Sequence, residues 1–439
     1  MNRRTTALAT ALGAAALLLA GCTGTGGTTK AEDAKAPTDP ATVSGTITVL
    51  TQRTDLVADG TMDRYAAAFN RTYPKVKVKF QALTTYESEV KIRMNTDNYG
   101  DVLLIPGVVK KSDYPKFFAS LGTRAERSKK YRFTDFTTVG GKVYGQSPIG
   151  VMPGFVYNKR VWKQAGVSRW PTTPAEFLAD LKAIRQKTGA IPYYTNFAAQ
   201  WPLTSWTFVN GSVHCDTGAT TELAHGNPWA QGADLRVGDT LLYDIVHQGL
   251  AEKDPTTTNW EASKGQLAQG KIATQWLGTW AIIQFQDAAK KADVNPDDIG
   301  FMPFPAQVGG KFCAVVGPDY NQAVNIHSKH KEAARAWIDW FTDNSGYDKD
   351  NLAISPLKNA PLPVVLKPYE DAGVKLIELD DTDGAKVKLI DSESEVGINT
   401  PDYRQKLVDL ARGVGSGSLD DFLTGLGTKW TEAEKRVGS

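Results

Sequence analysis

The sequence has few of the residues on which metal sites, disulfide scaffolds and nucleic-acid binders depend. It holds three cysteines and five histidines in 439 residues, and the histidines show none of the spacings typical of metal ligands. Its 50 basic and 48 acidic side chains nearly cancel. A chain without a basic excess lacks the surface that neutralises phosphates. We therefore predict no metal, no cofactor and no nucleic-acid partner.

Motifs of catalysis are also missing. The sequence contains neither a Gly-x-Ser-x-Gly elbow nor a His-Glu-x-x-His zinc helix. Residues 265–271 approach a phosphate-binding loop, but Ile272 stands where that loop needs a Ser or Thr hydroxyl, and a predicted helix precedes it instead of a strand. The acidic pairs at 393/395 and 420/421 are typical of a solvated face. We predict that the chain is not an enzyme.

A long apolar run occurs only at the N-terminus, where Ala7–Ala20 follows Arg3 and Arg4. The run has the length of a signal-peptide core and is too short to span a bilayer. It ends in Leu-Ala-Gly-Cys22, which resembles the lipobox of bacterial lipoproteins. That resemblance implies removal of residues 1–21, lipid on Cys22 and a location on the outer face of the cytoplasmic membrane. The alternative is an ordinary cleavable signal with an incidental cysteine.

The residues after Cys22 predict a tether and then a folded body. Residues 23–43 are rich in Gly, Thr, Ala and Pro, which is typical of a flexible segment, so we expect the folded part to start at Gly45. Removing the signal also removes two arginines and leaves a formally neutral chain. The other cysteines, Cys215 and Cys313, are either a disulfide or two separate buried thiols. A bond would close a loop of about 100 residues, worth up to roughly 4–5 kcal/mol in the chain-entropy model.

What is present indicates a large α/β protein. Strand-like residues 46–50, a helical stripe from Met62 to Phe69, an alternating strand 75–80, a helix near 86–94 and an apolar strand 101–105 give the order βαβαβ. This order predicts a doubly wound lobe with ligand contacts at the loops after its strands. The middle of the chain shows the same order of elements. A capping box at 173–176 predicts the start of a helix that Gly189 terminates, and further helices are predicted at 229–249, 258–269, 331–342, 402–412 and 418–436.

Tryptophan is abundant, with 11 residues. Trp201, Trp206, Trp276 and Trp280 lie beside Pro, Gly and Thr in segments that resemble strand ends and loops. Flat aromatic faces bury the C–H face of a sugar ring while polar neighbours bind its hydroxyls. For any one of these tryptophans the alternative is core packing, but the group as a whole indicates a carbohydrate site.

An ordered set of segments resembles the solute-binding proteins of bacterial ABC importers, in the carbohydrate-binding family that includes maltose-binding protein. The similar segments cover roughly residues 45–437 and stand in the family's order: 69–78, 100–103, 141–145, 155–159, 165–166, 171–176, 269–274, 278–280, 299–303 and 328–334. The resemblance implies a two-lobed, type II periplasmic-binding-protein-like α/β fold with the ligand cleft between the lobes. It implies lobe one at 45–150 with 313–346, and lobe two at 151–312 with 347–439.

The resemblance also implies the binding residues and the partners. Trp280 is the first candidate, since the family's Gly-x-Trp ring commonly stacks on sugar, and the other candidates are Trp201, Gln52, Arg53, Asp55, Pro106, Trp276, Asp319, Tyr320 and Tyr403. The implied partners are a sugar or oligosaccharide, the permease subunits of an importer, and the membrane through the lipid anchor, with the protein a monomer. The alternative is an exported carbohydrate-active hydrolase or adhesion protein on the same scaffold.

Overall fold

The computed structural model describes residues 33–438. The strands β1 to β15 of this part are, in chain order, Ser44–Thr51, Lys75–Ala82, Val102–Leu104, Phe118–Ala119, Thr138–Val139, Lys142–Val143, Gly150–Val151, Pro153–Asn158, Thr274–Gly278, Ile299–Met302, Gln307–Val308, Lys311–Val315, Gly317–Pro318, Gln322–Asn325 and Lys375–Ile377. The helices α1 to α18 are Thr54–Ala58, Thr61–Phe69, Tyr86–Arg93, Tyr114–Phe117, Arg124–Arg127, Lys159–Gln164, Pro174–Lys187, Trp201–Thr204, Ala219–His225, Asp234–His247, Trp260–Ala268, Ala281–Lys291, Lys331–Asn344, Tyr347–Asp350, Lys367–Asp371, Gly384–Ser394, Asp402–Ala411 and Leu419–Gly438.

The first lobe is built on a five-stranded sheet in the order β2-β1-β3-β14-β4. Strand β1 pairs in parallel with β2 along its whole length and with β3 at Val49↔Val102. The predicted βαβαβ order is confirmed for these three strands, and β3 is buried throughout. The chain returns much later as β14, which enters the sheet antiparallel to β3 and β4.

Helices α2 and α13 cover one face of this sheet. The predicted stripe of α2 is confirmed, because Met62, Tyr65 and Phe69 are buried. The ring of Phe69 lies 5.3 Å from that of Trp337 in α13, and Tyr65 lies 5.4 Å from Phe341. These rings join the two helices, which are far apart in sequence, into one layer of the first lobe.

The second lobe differs from the expectation that its strands repeat the first pattern. Its central strand β8 runs antiparallel to both β9 and β10, with Phe155 opposite Trp276 and Met302. Both neighbours of β8 are buried at every position, as a strand of a parallel sheet would be, and a strand without alternation does not encode direction. Side chains alternate across β8, so Phe155 and Val156 enter two different apolar cores.

Crossover segments connect the two lobes. Strand β7 pairs antiparallel with β13, and Gly150 exchanges both backbone hydrogen bonds with Ile354, at 2.7 and 3.1 Å. A Cβ on Gly150 would lie 2.7 Å from the ring of Phe133, so only glycine allows this approach. Strand β12, which directly precedes β13, pairs in parallel with β15, and Cys313 lies opposite Lys375.

A disulfide joins Cys215 to Cys313 in the second lobe, with their Cα atoms 5.4 Å apart. Of the two alternatives from the sequence, the structure therefore has the bonded pair.

Ordered packing begins before Gly45, the residue at which the folded part was expected to start. Ala34 is buried, its N–H donates to the Ser120 carbonyl at 2.9 Å, and its carbonyl accepts from Arg335 at 3.0 Å. Asp33 forms an ion pair with Lys142 at 2.7 Å. Residues 33 and 34 therefore already pack on the first lobe. The predicted signal, Cys22 and residues 23–32 of the tether lie outside the described residues. Within residues 33–438 no helix has the length and apolarity needed to cross a membrane.

Candidate functional site

A cavity of about 980 Å³ lies between the two lobes. The first lobe and the crossovers contribute the loop after β1, the residue before β7, the loop after β13 and helix α14, whereas the second lobe contributes α8, α11 and α12. The first wall includes Gln52, Arg53, Asp55, Ile149, Asp319, Tyr320, Tyr347 and Asn351, and the second includes Trp201, Glu261, Lys264, Trp280, Gln284, Asp287 and Lys291.

Arg53 organises the first wall. Its guanidinium donates to Asp55 at 2.7–3.3 Å, to the Tyr347 hydroxyl at 3.1 Å and to Asn351 at 2.8 Å. Burial alone would raise the pKa of Asp55, but the hydrogen bonds and charge of Arg53 outweigh it and lower that pKa. This network holds an arginine with fixed geometry at the edge of the cavity.

Asp319 is the one cavity carboxylate that has no partner among residues 33–438. It follows strand β13, and its backbone N–H donates to the Ile149 carbonyl at 3.2 Å. Within residues 33–438 no hydrogen bond to its carboxylate is formed. The carboxylate is open to the cavity but crowded by protein, and this desolvation raises its pKa to about 6 against the opposing charge of Arg53. An unpaired acceptor at this position is suited to ligand hydroxyls.

The aromatic part of the second wall is formed by Trp201 and Trp280, and Trp260 packs against both rings without lining the cavity itself. The ring centroids of the three pairs are 5.0, 5.5 and 5.8 Å apart, and Trp201 is 37% exposed. Lys264 lies 4.8 Å over the Trp260 ring and pairs with Glu261 at 2.9 Å. The cluster therefore presents flat apolar surface beside compensated charge.

A glycine gives Trp280 its position. Trp280 follows β9 and immediately precedes α12. A Cβ on Gly278 would lie 2.6 Å from the indole Nε1 of Trp280, so the ring folds back over the space that a side chain would fill. A tight strand-to-helix turn thus directs the ring toward the cavity.

The structure brings most of the predicted binding residues to one cavity, and these are Gln52, Arg53, Asp55, Trp201, Trp280, Asp319 and Tyr320. It does not bring three others there. Trp276 is 2% exposed, donates to the Ser205 carbonyl at 2.9 Å and packs with Trp206 in the core of the second lobe. Tyr403 is buried against Asp239. Pro106 is buried in its loop and does not line the cavity.

Helices supply cavity residues that the sequence analysis did not identify. Gln284, Asp287 and Lys291 share one face of α12, and Lys264 lies on α11. Their spacing of three and four residues directly after Trp280 is a signal that was available. Tyr347 and Asn351 had no such signal, since they reach the cavity only through the chain's return to the first lobe.

The cavity has the chemistry of a binding site for a solute with both apolar faces and hydroxyl groups. Among the described residues there is no group of three or more His, Cys, Asp or Glu side chains that could hold a metal ion. Rings line one wall, and an arginine network and a free carboxylate line the other.

Comparison with known proteins agrees with this geometry. Residues 54–348 match the family described as bacterial extracellular solute-binding protein. A binding protein of an ABC transporter from Bifidobacterium animalis subsp. lactis, solved with mannobiose, is 32% identical, with 92% of this chain and 97% of that chain covered and a TM-score of 0.82. A manno-oligosaccharide-specific solute binding protein from the same organism, solved with mannotriose, is 32% identical, with coverage of 90% and 95% and a TM-score of 0.81. The diacetylchitobiose binding protein of Streptomyces coelicolor is 25% identical over 61% of this chain, and the match spans 62% of that protein's length.

Proposed function

The chain belongs to the family of bacterial extracellular solute-binding proteins, and we propose that it is the sugar receptor of an ABC importer. The observation that carries the proposal is the tryptophan cluster facing the Arg53 network and Asp319 across one cavity. The relatives solved with mannobiose and mannotriose support it. Like its family, the protein works outside the cytoplasm.

We propose that the ligand is an uncharged oligosaccharide of two or three sugar residues. Most lining charges are already compensated within the protein, because Arg53 pairs with Asp55, Lys264 with Glu261, and Asp287 with Lys290. A cavity of about 980 Å³ is at the upper end of ordinary ligand sites. Its size supports a ligand larger than one sugar.

We propose that capture proceeds by closure of the lobes over the sugar. Among the described residues no hydrogen bond or ion pair joins the first wall of the cavity to the second. A ligand that contacts both walls binds the closed form better and shifts the population toward it. Asp319 and Ile149 adjoin the crossover strands β13 and β7. Contacts at Asp319 therefore act directly on the segments that must bend.

The remaining parts of the proposal concern organisation and partners. We propose the predicted lobe ranges with two adjustments: 311–316 belongs with the second lobe through its pairing with β15, and 347–353 with the first lobe through Tyr347. We further propose a monomer, lipid on Cys22, delivery to membrane permease subunits, and binding of the sugar without chemical change.

A thermal-unfolding experiment with a sugar panel tests this function. Mannobiose, mannotriose, diacetylchitobiose and glucose are each added to the purified protein, and the incubated sugars are then analysed by chromatography. A cognate sugar at about 100 times its dissociation constant stabilises the fold by roughly 2.7 kcal/mol and is recovered intact. Absence of any shift across the panel would contradict sugar binding, and recovery of cleaved sugar would favour a hydrolase.

A further inference from the structure

A second cavity of about 980 Å³ lies in the second lobe, on the other side of helix α12 from the cleft. Helix α12 presents Ile283 and Asp287 to the cleft, and Ile282 and Gln286 to this second cavity. We call the second cavity the distal pocket. Its remaining walls come from β8, β10, α6 and the segment 364–372.

Aromatic rings form the floor of the distal pocket. They come from Tyr157, Trp162, Trp170, Phe301 and Phe312. Val364 stands at the rim with 85% of its surface exposed. Apolar surface concentrated in a concavity, rather than scattered singly, is typical of a ligand site.

The rim of the distal pocket carries uncompensated positive charge. Lys159 and Lys163 lie one turn apart on α6, both exposed, and neither has an ion-pair partner in the described part of the chain. The other rim charges are mostly neutralised, since Arg169 pairs with Glu176 at 3.3 Å and Asp371 with Lys367 at 2.8 Å. Asp297 is the remaining carboxylate that lines the pocket. Among the described residues, the two unpaired lysines therefore exceed the unpaired carboxylates by one charge.

A buried hydroxyl beside the floor is unsatisfied. Tyr369 is 1% exposed, and its hydroxyl has no hydrogen-bond partner among residues 33–438. Its ring stacks on Phe301 at 5.7 Å and meets Trp170 at 5.3 Å, so it adjoins two floor residues. Burial raises the pKa of Tyr369 well above its usual value, and the nearby floor residue Tyr157 adds to the effect. Tyr369 is therefore a buried donor next to the floor with no acceptor among residues 33–438.

We propose that the distal pocket binds a small amphipathic anion, with a flat apolar body on the aromatic floor and one carboxylate or sulfonate held by Lys159 and Lys163. The aromatic floor fits the apolar body, and the two lysines of α6 fit the acidic group. This site is separate from the cleft and does not depend on sugar capture.

Two fluorescent probes with the same aromatic body test the proposal. One is 1-anilinonaphthalene-8-sulfonate, and the other is N-phenyl-1-naphthylamine, which lacks the sulfonate. The double variant Lys159→Gln/Lys163→Gln should weaken binding of the sulfonate probe roughly three- to tenfold and leave the neutral probe within about twofold. The matched control Lys388→Gln/Lys429→Gln alters two exposed lysines elsewhere in the second lobe and should change neither affinity.

A blocking variant shows where the probes bind. Ala372 is exposed and lines the distal pocket, so Ala372→Trp should abolish binding of both probes, whereas Ala175→Trp on an exposed site of α7 should not. The cleft variant Trp280→Ala should leave both probe affinities unchanged. The proposal is overturned if native protein binds neither probe, if Ala372→Trp leaves binding intact, or if Gln at 159 and 163 affects both probes equally. Concentration-dependent dimerisation that Ala372→Trp removes would assign the pocket to a second copy and overturn it as well.

Discussion

At the scale of the residue, two side chains on opposite walls of the cleft are available to a ligand, the Trp280 ring and the Asp319 carboxylate. Trp280 offers a flat face with no hydrogen bond from its indole N–H to any described residue, and Asp319 offers an acceptor that is equally without a partner. Groups left unsatisfied by their own protein are available to a ligand, whereas the Arg53 network is already satisfied. We therefore expect these two side chains to carry most of the affinity.

Replacing Trp280 by alanine should weaken sugar binding by about 2 kcal/mol, roughly thirtyfold, since central aromatic contacts dominate such sites. The fold should persist, because the ring lies at the cavity wall with Trp201 and Trp260 behind it. Isothermal titration calorimetry measures the affinity. Phe208→Ala removes an exposed ring outside the cavity and serves as the control. Equal affinity for Trp280→Ala and wild type would remove Trp280 from the site.

Affinity should also depend on pH through Asp319. Its pKa of about 6 lies above the usual value of 3.8 because the carboxylate is desolvated. Sugar hydroxyls donate to the ionised form, so binding should weaken as the pH falls from about 7.5 to about 5. The pKa of Asp319 is higher in the folded than in the unfolded state, so its ionisation destabilises the fold. That destabilisation is lost as the pH falls toward 4. Asp319→Asn should bind with a flat pH profile over this range, and an unchanged profile would show that another group titrates.

At the scale of the element, sequence periodicity predicted most of the long helices but not α12 and α16, and it did not predict the antiparallel strands of the second lobe. The stripes of α2, α7 and α18 are where their spacing placed them, since a buried helix face must recur every three to four residues. Strand β9 is buried at every position, so its pattern could not show which side of Trp276 faces a cavity. The same lack of alternation hid the antiparallel order of the second lobe.

Tyr403 illustrates a second limit of sequence reasoning. Its hydroxyl donates to Asp239, which also accepts from Trp229 at 2.8 Å and from Arg404 at 2.9 Å. This network is buried and joins α10 to α17. A polar residue near a predicted cleft is indistinguishable in sequence from one that satisfies a buried charge, because both need the same side-chain chemistry.

The turn from β9 into α12 should be sensitive to a single methyl group. Gly278→Ala places a Cβ 2.6 Å from the Trp280 indole, so the ring must move and sugar affinity should fall by about 1 kcal/mol, roughly fivefold. Gly425→Ala is the matched control in α18, where an added Cβ meets no atom within 4 Å. It should stabilise the fold by up to about 1 kcal/mol without changing affinity. A wild-type affinity for Gly278→Ala would show that the ring position does not depend on this glycine.

At the scale of the whole molecule, two ion pairs join the lobes at positions away from the cleft. Lys111 pairs with Asp381 at 2.9 Å and Arg132 with Glu378 at 2.9 Å, each joining the first half of the chain to a segment that follows β15. These pairs exist in a conformation whose cavity walls make no direct polar contact among the described residues. They therefore favour the present separation of the lobes.

Removing both pairs with Lys111→Gln/Arg132→Gln should raise the closed fraction, lower the radius of gyration in small-angle scattering and tighten sugar binding by up to about threefold. High salt should have the same effect on the wild type and little effect on the variant. Lys116→Gln breaks an ion pair within the first lobe and should change none of these quantities. Weaker binding by the double variant would mean that the pairs support the closed form instead.

The two-lobed α/β architecture was predictable at this scale because the order of motifs is spread along the chain, and the solved relatives share it at TM-scores of 0.82 and 0.81. The hydrogen bond between Asn351 and Arg53 was not predictable, since it depends on where the chain runs after helix α13.

The tryptophan cluster also gives the protein an optical property. Three of its 11 indoles lie with centroids 5.0 to 5.8 Å apart, two of them lining the cleft and Trp260 packed against both. Chromophores at this separation couple their excited states, and they share energy before emitting. A sugar that displaces water from one indole therefore perturbs the emission and the near-ultraviolet dichroism of all three. The intrinsic tryptophan fluorescence of the receptor therefore reports sugar binding without an added dye.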